Sequence, residues 1–268
     1  MSSFNSKNVL ITGGASGIGK LMGRMVLENG AANLVIWDIN DAALEETKLE
    51  FAGLNGNVHT YKVNVANVEE IKTSADLTLK KLGSIDILIN NAGIVVGKLF
   101  TEHSHDDIAN TMNVNTLALM HITREFLPGM LARRQGHVCN IASAAALLAN
   151  PKMAVYVASK WAVYGWSESL RIEMEQGKTG VHVTTVCPYY ISTGMFSGVK
   201  SRIPLLKPDV AAKRIIKAIS SNKVVIKLPW IVNLLPFAKA IMPLRMFDFV
   251  IGKGFGIYNT MSSFVGRK

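Results

Sequence analysis

Cysteine is almost missing from this chain: Cys139 and Cys187 are the only two, and both lie in apolar, strand-like segments. Two isolated thiols make neither a disulfide framework nor a metal-ligand spacing, and a small buried thiol is the ordinary reading of each. The six histidines are scattered. His103 and His105 read as a solvated loop pair, so no metal is assigned. No Pro/Ser-rich stretch, low-complexity run or internal repeat marks a linker. No uninterrupted apolar run approaches the ~20 residues of a membrane-spanning helix. The first strand-like run begins at Lys7, which leaves no room before it for a signal peptide or an amino-terminal anchor. The expectation is a cytoplasmic protein.

Acidic residues are also scarce, but only at one end. Residues 1–198 carry 16 Lys+Arg against 17 Asp+Glu, whereas residues 199–268 carry 13 against 2. That tail interleaves Lys227, Lys239 and Arg245 with large apolar side chains, among them Trp230, Leu234, Phe237 and Phe247. Two readings stand. The segment lies on a membrane surface with its basic residues at anionic headgroups, or it packs over a cleft of the domain. Basic residues diluted by aliphatic bulk, without a reading motif, argue against nucleic acid as a partner.

What the chain does have is apolar bulk and alternation. At 268 residues and 49% hydrophobic content it can bury a large core, and its strand-like and helix-like segments alternate as in an α/β protein with a parallel sheet. Tyr156 and Lys160, four residues apart, share one helix face, so an ammonium can stand beside a phenol. A nearby cation favours the phenolate of a group that otherwise titrates at about 10, which makes Tyr156 a candidate general acid/base. Alone, this spacing is an ordinary helix surface pair. Upstream, however, Lys7–Thr12 reads as a strand, a glycine-rich turn follows, and Ile18–Leu27 reads as a helix. Gly13, Gly17 and Gly19, with Ser16 and Ile18 among them, allow a tight turn and close approach of the helix N-terminus to a pyrophosphate.

Adding Asn90-Asn91-Ala92-Gly93, Asn115 and Ser143, the chain resembles the short-chain dehydrogenase/reductase family over at least residues 7–193. The resemblance implies a single Rossmann-type α/β fold, a doubly wound parallel sheet with helices on both faces, here followed by a helical, apolar and basic extension. We divide the chain into a cofactor-binding and catalytic domain, 1–222, and an extension, 223–268. The resemblance also implies roles. Ser143 hydrogen-bonds the substrate oxygen, Tyr156 exchanges its proton, Lys160 acidifies Tyr156 and holds the nicotinamide ribose, and Asn115 supports a water relay. Asn91, Ala92 and Gly93 flank the cofactor, and Thr193 fits the position that meets its carboxamide. Asp38 ends a strand-like run 19 residues after Gly19, where a carboxylate accepts both adenosine ribose hydroxyls and repels an extra phosphate. The expected cofactor is therefore NAD. Two positions depart from the family pattern. Asn64-Val65 stands where an aspartate usually meets adenine, and Pro188-Tyr189 replaces Pro-Gly, making that wall bulkier.

The run Ala144–Ala149 after the serine offers no charged group, and Ala145, Met153, Tyr189 and Met195 are candidates for an apolar substrate pocket. The tail makes the chain similar to the membrane-associated retinol and hydroxysteroid dehydrogenases, although the amino-terminal anchor usual in that group is not seen. The reading is NAD-dependent oxidation of a secondary or allylic alcohol on a steroid, retinoid or terpenoid, or the reverse reduction. A reductase of short aliphatic or fatty ketones and a non-catalytic, cofactor-binding scaffold at a lipid surface are the alternatives. The resemblance further implies a homodimer or homotetramer through helices over about 104–133 and 151–176.

Overall fold

Runs such as Val9–Ile11, Leu34–Trp37 and Ile87–Ile89 are almost wholly excluded from solvent, as strands covered by helices on both faces must be. The computed structural model describes residues 2–266. Its order is β1 (Asn8–Thr12), α1 (Gly17–Glu28), β2 (Asn33–Asp38), α2 (Asp41–Phe51), β3 (Asn57–Lys62), α3 (Val68–Leu82), β4 (Ile87–Asn90), α4 (His105–Met112), α5 (Ala118–Ala132), β5 (Gly136–Ile141), α6 (Ala154–Gln176), β6 (Val181–Pro188), α7 (Pro208–Ser220), β7 (Val225–Leu228), α8 (Leu234–Ile241) and α9 (Leu244–Phe247).

The strands form one parallel sheet in the order β3-β2-β1-β4-β5-β6-β7, with Leu10 opposite both Val35 of β2 and Leu88 of β4. The chain direction of the order reverses between β1 and β4, and a crevice opens there at the carboxyl ends of the strands. One face carries a core in which Met22 and Val26 of α1 meet Phe51 of α2 and Ile215 and Ile219 of α7. The other joins Ile71, Ile122, Phe126, Leu170 and Met174 from α3, α5 and α6. Helix starts follow local chemistry. The Asn40 side chain accepts from Ala43 N, Asn67 from Glu69 N, and Ser104 and Asp107 cap each other's turn.

The structure differs from expectation at four places. The sheet continues past residue 222, because β7 pairs with β6, so the extension begins after Leu228 rather than at 223. The helix expected over 104–133 is broken by a π-helical turn at Asn113–Leu117, and α6 starts at Ala154. His105 is the first residue of α4, not part of a loop. Phe247 is buried in the protein, joining Val232, Ile257 and Met261 in a third core that packs on Tyr156, Tyr189 and Tyr190; it is not a lipid-facing side chain.

At the start of β5, the buried His137 side chain hydrogen-bonds Ser2 Oγ and Thr184 Oγ1 beside His182 of β6. Burial pulls its imidazole down to about 3, with His182 adding to the effect. The unfolded chain takes this proton near 6.5 and the folded chain resists it, so stability is complete above about 6.5 and falls as pH drops toward 3. We expect this group to remove about 2–3 kcal/mol between pH 6.5 and 4.5. Urea unfolding of His137→Gln should show a flatter acid limb than the unaltered protein; parallel limbs would refute the assignment.

Candidate active site

At the end of β1 the chain turns on Gly13 and Gly17, with positive φ of 62° and 55°, before entering α1. A Cβ on Gly19 would collide with the Gly13 carbonyl, and one on Gly17 would touch Thr193 in the loop after β6. The turn is braced from β4: Asn91 Nδ2 donates to Thr12 O and Gly13 O, and the Asn91 and Ala92 amides donate to Thr12 Oγ1. From β2, Asp38 Oδ2 accepts from Ala15 N and its Oδ1 from Asn40 N. Asp38 thus fixes the glycine turn, while the cap of α2 belongs to Asn40. Each carboxylate oxygen keeps lone pairs for a ribose. Asn64 Oδ1 accepts from Ala66 N, which leaves its amide N–H groups free for another partner.

The candidate reacting groups stand where β5, β6 and α6 converge. Ser143 follows β5; its Oγ accepts from Ala145 N and reaches Pro188 O at 3.5 Å. Tyr156 and Lys160 lie on the first turns of α6, both buried. The Lys160 ammonium donates to Ile141 O at 2.9 Å and lies 5.8 Å from the centre of the Tyr156 ring. Sequence spacing predicts an acidified phenol, and the structure qualifies this. Burial pushes the Tyr156 phenol above the ordinary tyrosine range, against a smaller downward pull from the Ser143 hydroxyl. Burial also pulls Lys160 down to about 8. Two of its three ammonium protons remain for a ligand.

A buried cation with one carbonyl partner costs stability that function requires. Lys160→Met is therefore expected to stabilise the cofactor-free fold by about 1–3 kcal/mol and to abolish turnover. Denaturant unfolding and a rate assay on the same preparation check both signs; a destabilised variant would contradict the first.

Asn115 sits in the π-helical turn, fully buried, with Oδ1 accepting from Ile94 N and Nδ2 donating to Ile94 O and Ser159 Oγ. Its side chain ties α6 to the loop following β4, and helix irregularities of this kind frequently mark functional positions. Asn115 does not line the cavity. Every other candidate cofactor, catalytic or pocket residue does: the glycine turn, Asp38, Asn64, Val65, Asn91–Gly93, Ser143, Ala145, Met153, Tyr156, Lys160, Pro188, Tyr189, Thr193 and Met195 surround one cavity of about 740 Å³. The sequence reading missed Ile231, Leu235, Ala238, Met242 and Ile251, which line its tail side. Their signal was the i, i+4 spacing of Leu234, Ala238 and Met242. Against the outer side of α6, Lys239 of α8 stacks on Trp161 at 4.5 Å, and Trp161 Nε1 donates to Ala145 O. Among the described residues no group of three or more metal-ligating side chains converges, and no helix is long and apolar enough to cross a membrane.

These residues suit a nicotinamide dinucleotide: a helix N-terminus behind glycines for its phosphates, a carboxylate at one end and a buried ammonium at the other. Comparison with known proteins agrees. The family model described as short chain dehydrogenase matches residues 7–203. The chain is 35% identical over 266 residues to the mouse (Mus musculus) epidermal retinol dehydrogenase 2, covering 97% of this chain and 85% of that one. A short-chain dehydrogenase/reductase from Burkholderia phymatum, solved with NAD, superimposes with a TM-score of 0.80 at 27% identity, over 94% of this chain and 97% of its own. A metagenomic short-chain oxidoreductase solved with NADP gives 0.70 at 25%, over 85% and 97%. Sequence, fold and site thus converge on one conclusion: the chain belongs to the short-chain dehydrogenase family of oxidoreductases.

Proposed function

We propose that this protein oxidises a secondary or allylic alcohol of a lipophilic molecule, a steroid, retinoid or terpenoid, with NAD as the hydride acceptor. The observation that carries the reading is the single cavity. It runs from Asp38 and the glycine turn past Ser143 and Tyr156 into an apolar chamber walled by Leu148, Met153, Phe196 and the tail. Among the described residues, Asp38 and Lys160 are the charged side chains that line it, so a polar substrate would find few partners there. The likeness to a retinol dehydrogenase supports the same class.

Bound NAD supplies the hydride chemistry. The protein's own groups manage the proton and the geometry. Ser143 Oγ fixes the substrate oxygen, the Tyr156 hydroxyl exchanges the proton with that oxygen, and Lys160 holds the ribose and favours the phenolate. Asn115, through Ile94 and Ser159, positions the loop and helix between which the proton leaves. NAD rather than NADP follows from Asp38, whose carboxylate would face the extra phosphate.

The tail serves two surfaces. Its inner side covers the cleft, while Trp230, Phe237 and Phe249 are 66–68% exposed, and large apolar side chains exposed together mark an interaction surface. We place this side on an anionic membrane surface, with Arg245 and Lys253 at the headgroups. Leu117, Trp161 and Ile172, exposed on and beside α5 and α6, support pairing of two copies through these helices.

The test is reduction of NAD and NADP with a panel of steroid, retinoid, terpenoid and short-chain secondary alcohols. NAD-dependent turnover of a bulky apolar alcohol is the expected result, and exclusive use of short alcohols would overturn the substrate class. Bromine-labelled phosphatidylserine vesicles should quench Trp230 fluorescence; unaltered emission would remove the membrane contact.

A further inference from the structure

The cavity opens at two ends of unlike chemistry. Nearly all of its lining is buried or half-buried, and the lining residues that are exposed fall into two groups. Gly17, Ile39 and Asn110 come from the glycine turn, the end of β2 and α4, where the dinucleotide fits. Leu234 and Phe255, 49% and 42% exposed, come from the tail.

The surroundings of the second opening decide its use. Trp230, Phe237, Ile241, Leu244 and Phe249 are 60–68% exposed around it and do not line the cavity. Arg245 and Lys253 are exposed among them. Asp248, the one carboxylate between residues 223 and 266, is taken by the Tyr258 hydroxyl. Helix α8 is apolar on both sides: Leu235 and Ala238 face the cavity while Phe237 and Ile241 face outward. Its one charged side chain, Lys239, stacks on Trp161, and each of its two apolar sides needs an apolar medium. Here the cavity is one medium, and the charge balance selects an anionic lipid surface as the other.

We infer that the tail-side opening is the substrate portal: the apolar alcohol passes from the lipid surface between Leu234 and Phe255 into the chamber without entering water, and the oxidised product leaves by the same route. The dinucleotide exchanges with the aqueous phase at the opposite end, so neither ligand blocks the other's path. This rests on the membrane-surface reading above and adds a route to it.

The test separates route from docking. All-trans-retinol serves as the probe, its own fluorescence reporting entry into a dry site, delivered either from phosphatidylcholine/phosphatidylserine vesicles or from albumin. Ala238→Trp narrows the opening from one turn beyond Leu234. It should leave vesicle co-sedimentation and NAD affinity unchanged and slow retinol uptake from both sources ~10-fold or more, a barrier increase of about 1.4 kcal/mol. Trp230→Asp with Phe237→Asp should abolish co-sedimentation and slow uptake from vesicles alone. Unaltered uptake in Ala238→Trp overturns the portal even where vesicle binding persists. Failure of the unaltered protein to bind vesicles overturns docking and direct transfer from lipid, and the albumin arm then still decides whether ligands enter between Leu234 and Phe255.

Discussion

Tyr156→Phe should lower kcat by about 10²–10⁴-fold, the range that a positioned general acid or base contributes, with NAD affinity and melting temperature nearly unchanged. The substitution deletes one hydroxyl and keeps the ring, which packs edge-on against Phe196 at 6.1 Å. A loss confined to kcat would mark an interaction made in the transition state, not in the bound complex. The pH dependence should carry a direction. Burial holds the phenol above the usual range, so the protonated form dominates at neutral pH and is ready to donate in ketone reduction. Alcohol oxidation needs the phenolate, and its rate should therefore climb with pH until Lys160 begins to lose its charge near 8. A variant keeping a tenth or more of kcat would exclude Tyr156 as the proton-exchanging group.

Cofactor choice should invert when Asp38 and its neighbour are changed together. Asp38→Asn keeps an acceptor for the Ala15 amide that braces the glycine turn but removes the charge a phosphate would meet. Ile39→Arg adds a guanidinium at a lining position that is 61% exposed, where the new charge stays hydrated until it finds a phosphate. We expect the NAD/NADP ratio of kcat/KM to move by about 10²-fold or more toward NADP, equal to about 2.7 kcal/mol or more. Steady-state kinetics with both dinucleotides measure it. An unchanged ratio would mean that Asp38 serves the turn alone.

The parts of this molecule that were legible in its sequence are those where backbone geometry admits few residues. A Cβ at Gly19 has nowhere to go, so the strand, turn and helix around it were readable, and Asp38 followed at a fixed distance. Tyr156 and Lys160 were readable because helix periodicity alone places them together. What depended on the third dimension was not. Spacing put the ammonium beside the phenol but could not show that both are buried, or that the lysine spends one proton on Ile141 O. Residues 104–133 carry one continuous helical pattern, and the π-helical break at Asn115 arises from side-chain bonds to Ile94 and Ser159, far off in sequence. β7 was missed because Val225–Leu228 is short, carries Lys227 and runs into the apolar tail. The sides of α8 were indistinguishable beforehand, since Leu235 and Phe237 are equally apolar and only packing tells them apart.

The division between the sheet and the tail has a consequence for how such a protein diversifies. The groups proposed to exchange the proton and seat the dinucleotide stand on or just after β1, β2, β5 and on α6, whereas much of the far wall is one continuous stretch, Ile231–Ile257, entered only after β7. Substitutions there can remodel which alcohol fits without disturbing how it is oxidised. Recognition and reaction are written in separate parts of one polypeptide, and the stretch after β7, about the last seventh of the chain, is where a new specificity would be easiest to build.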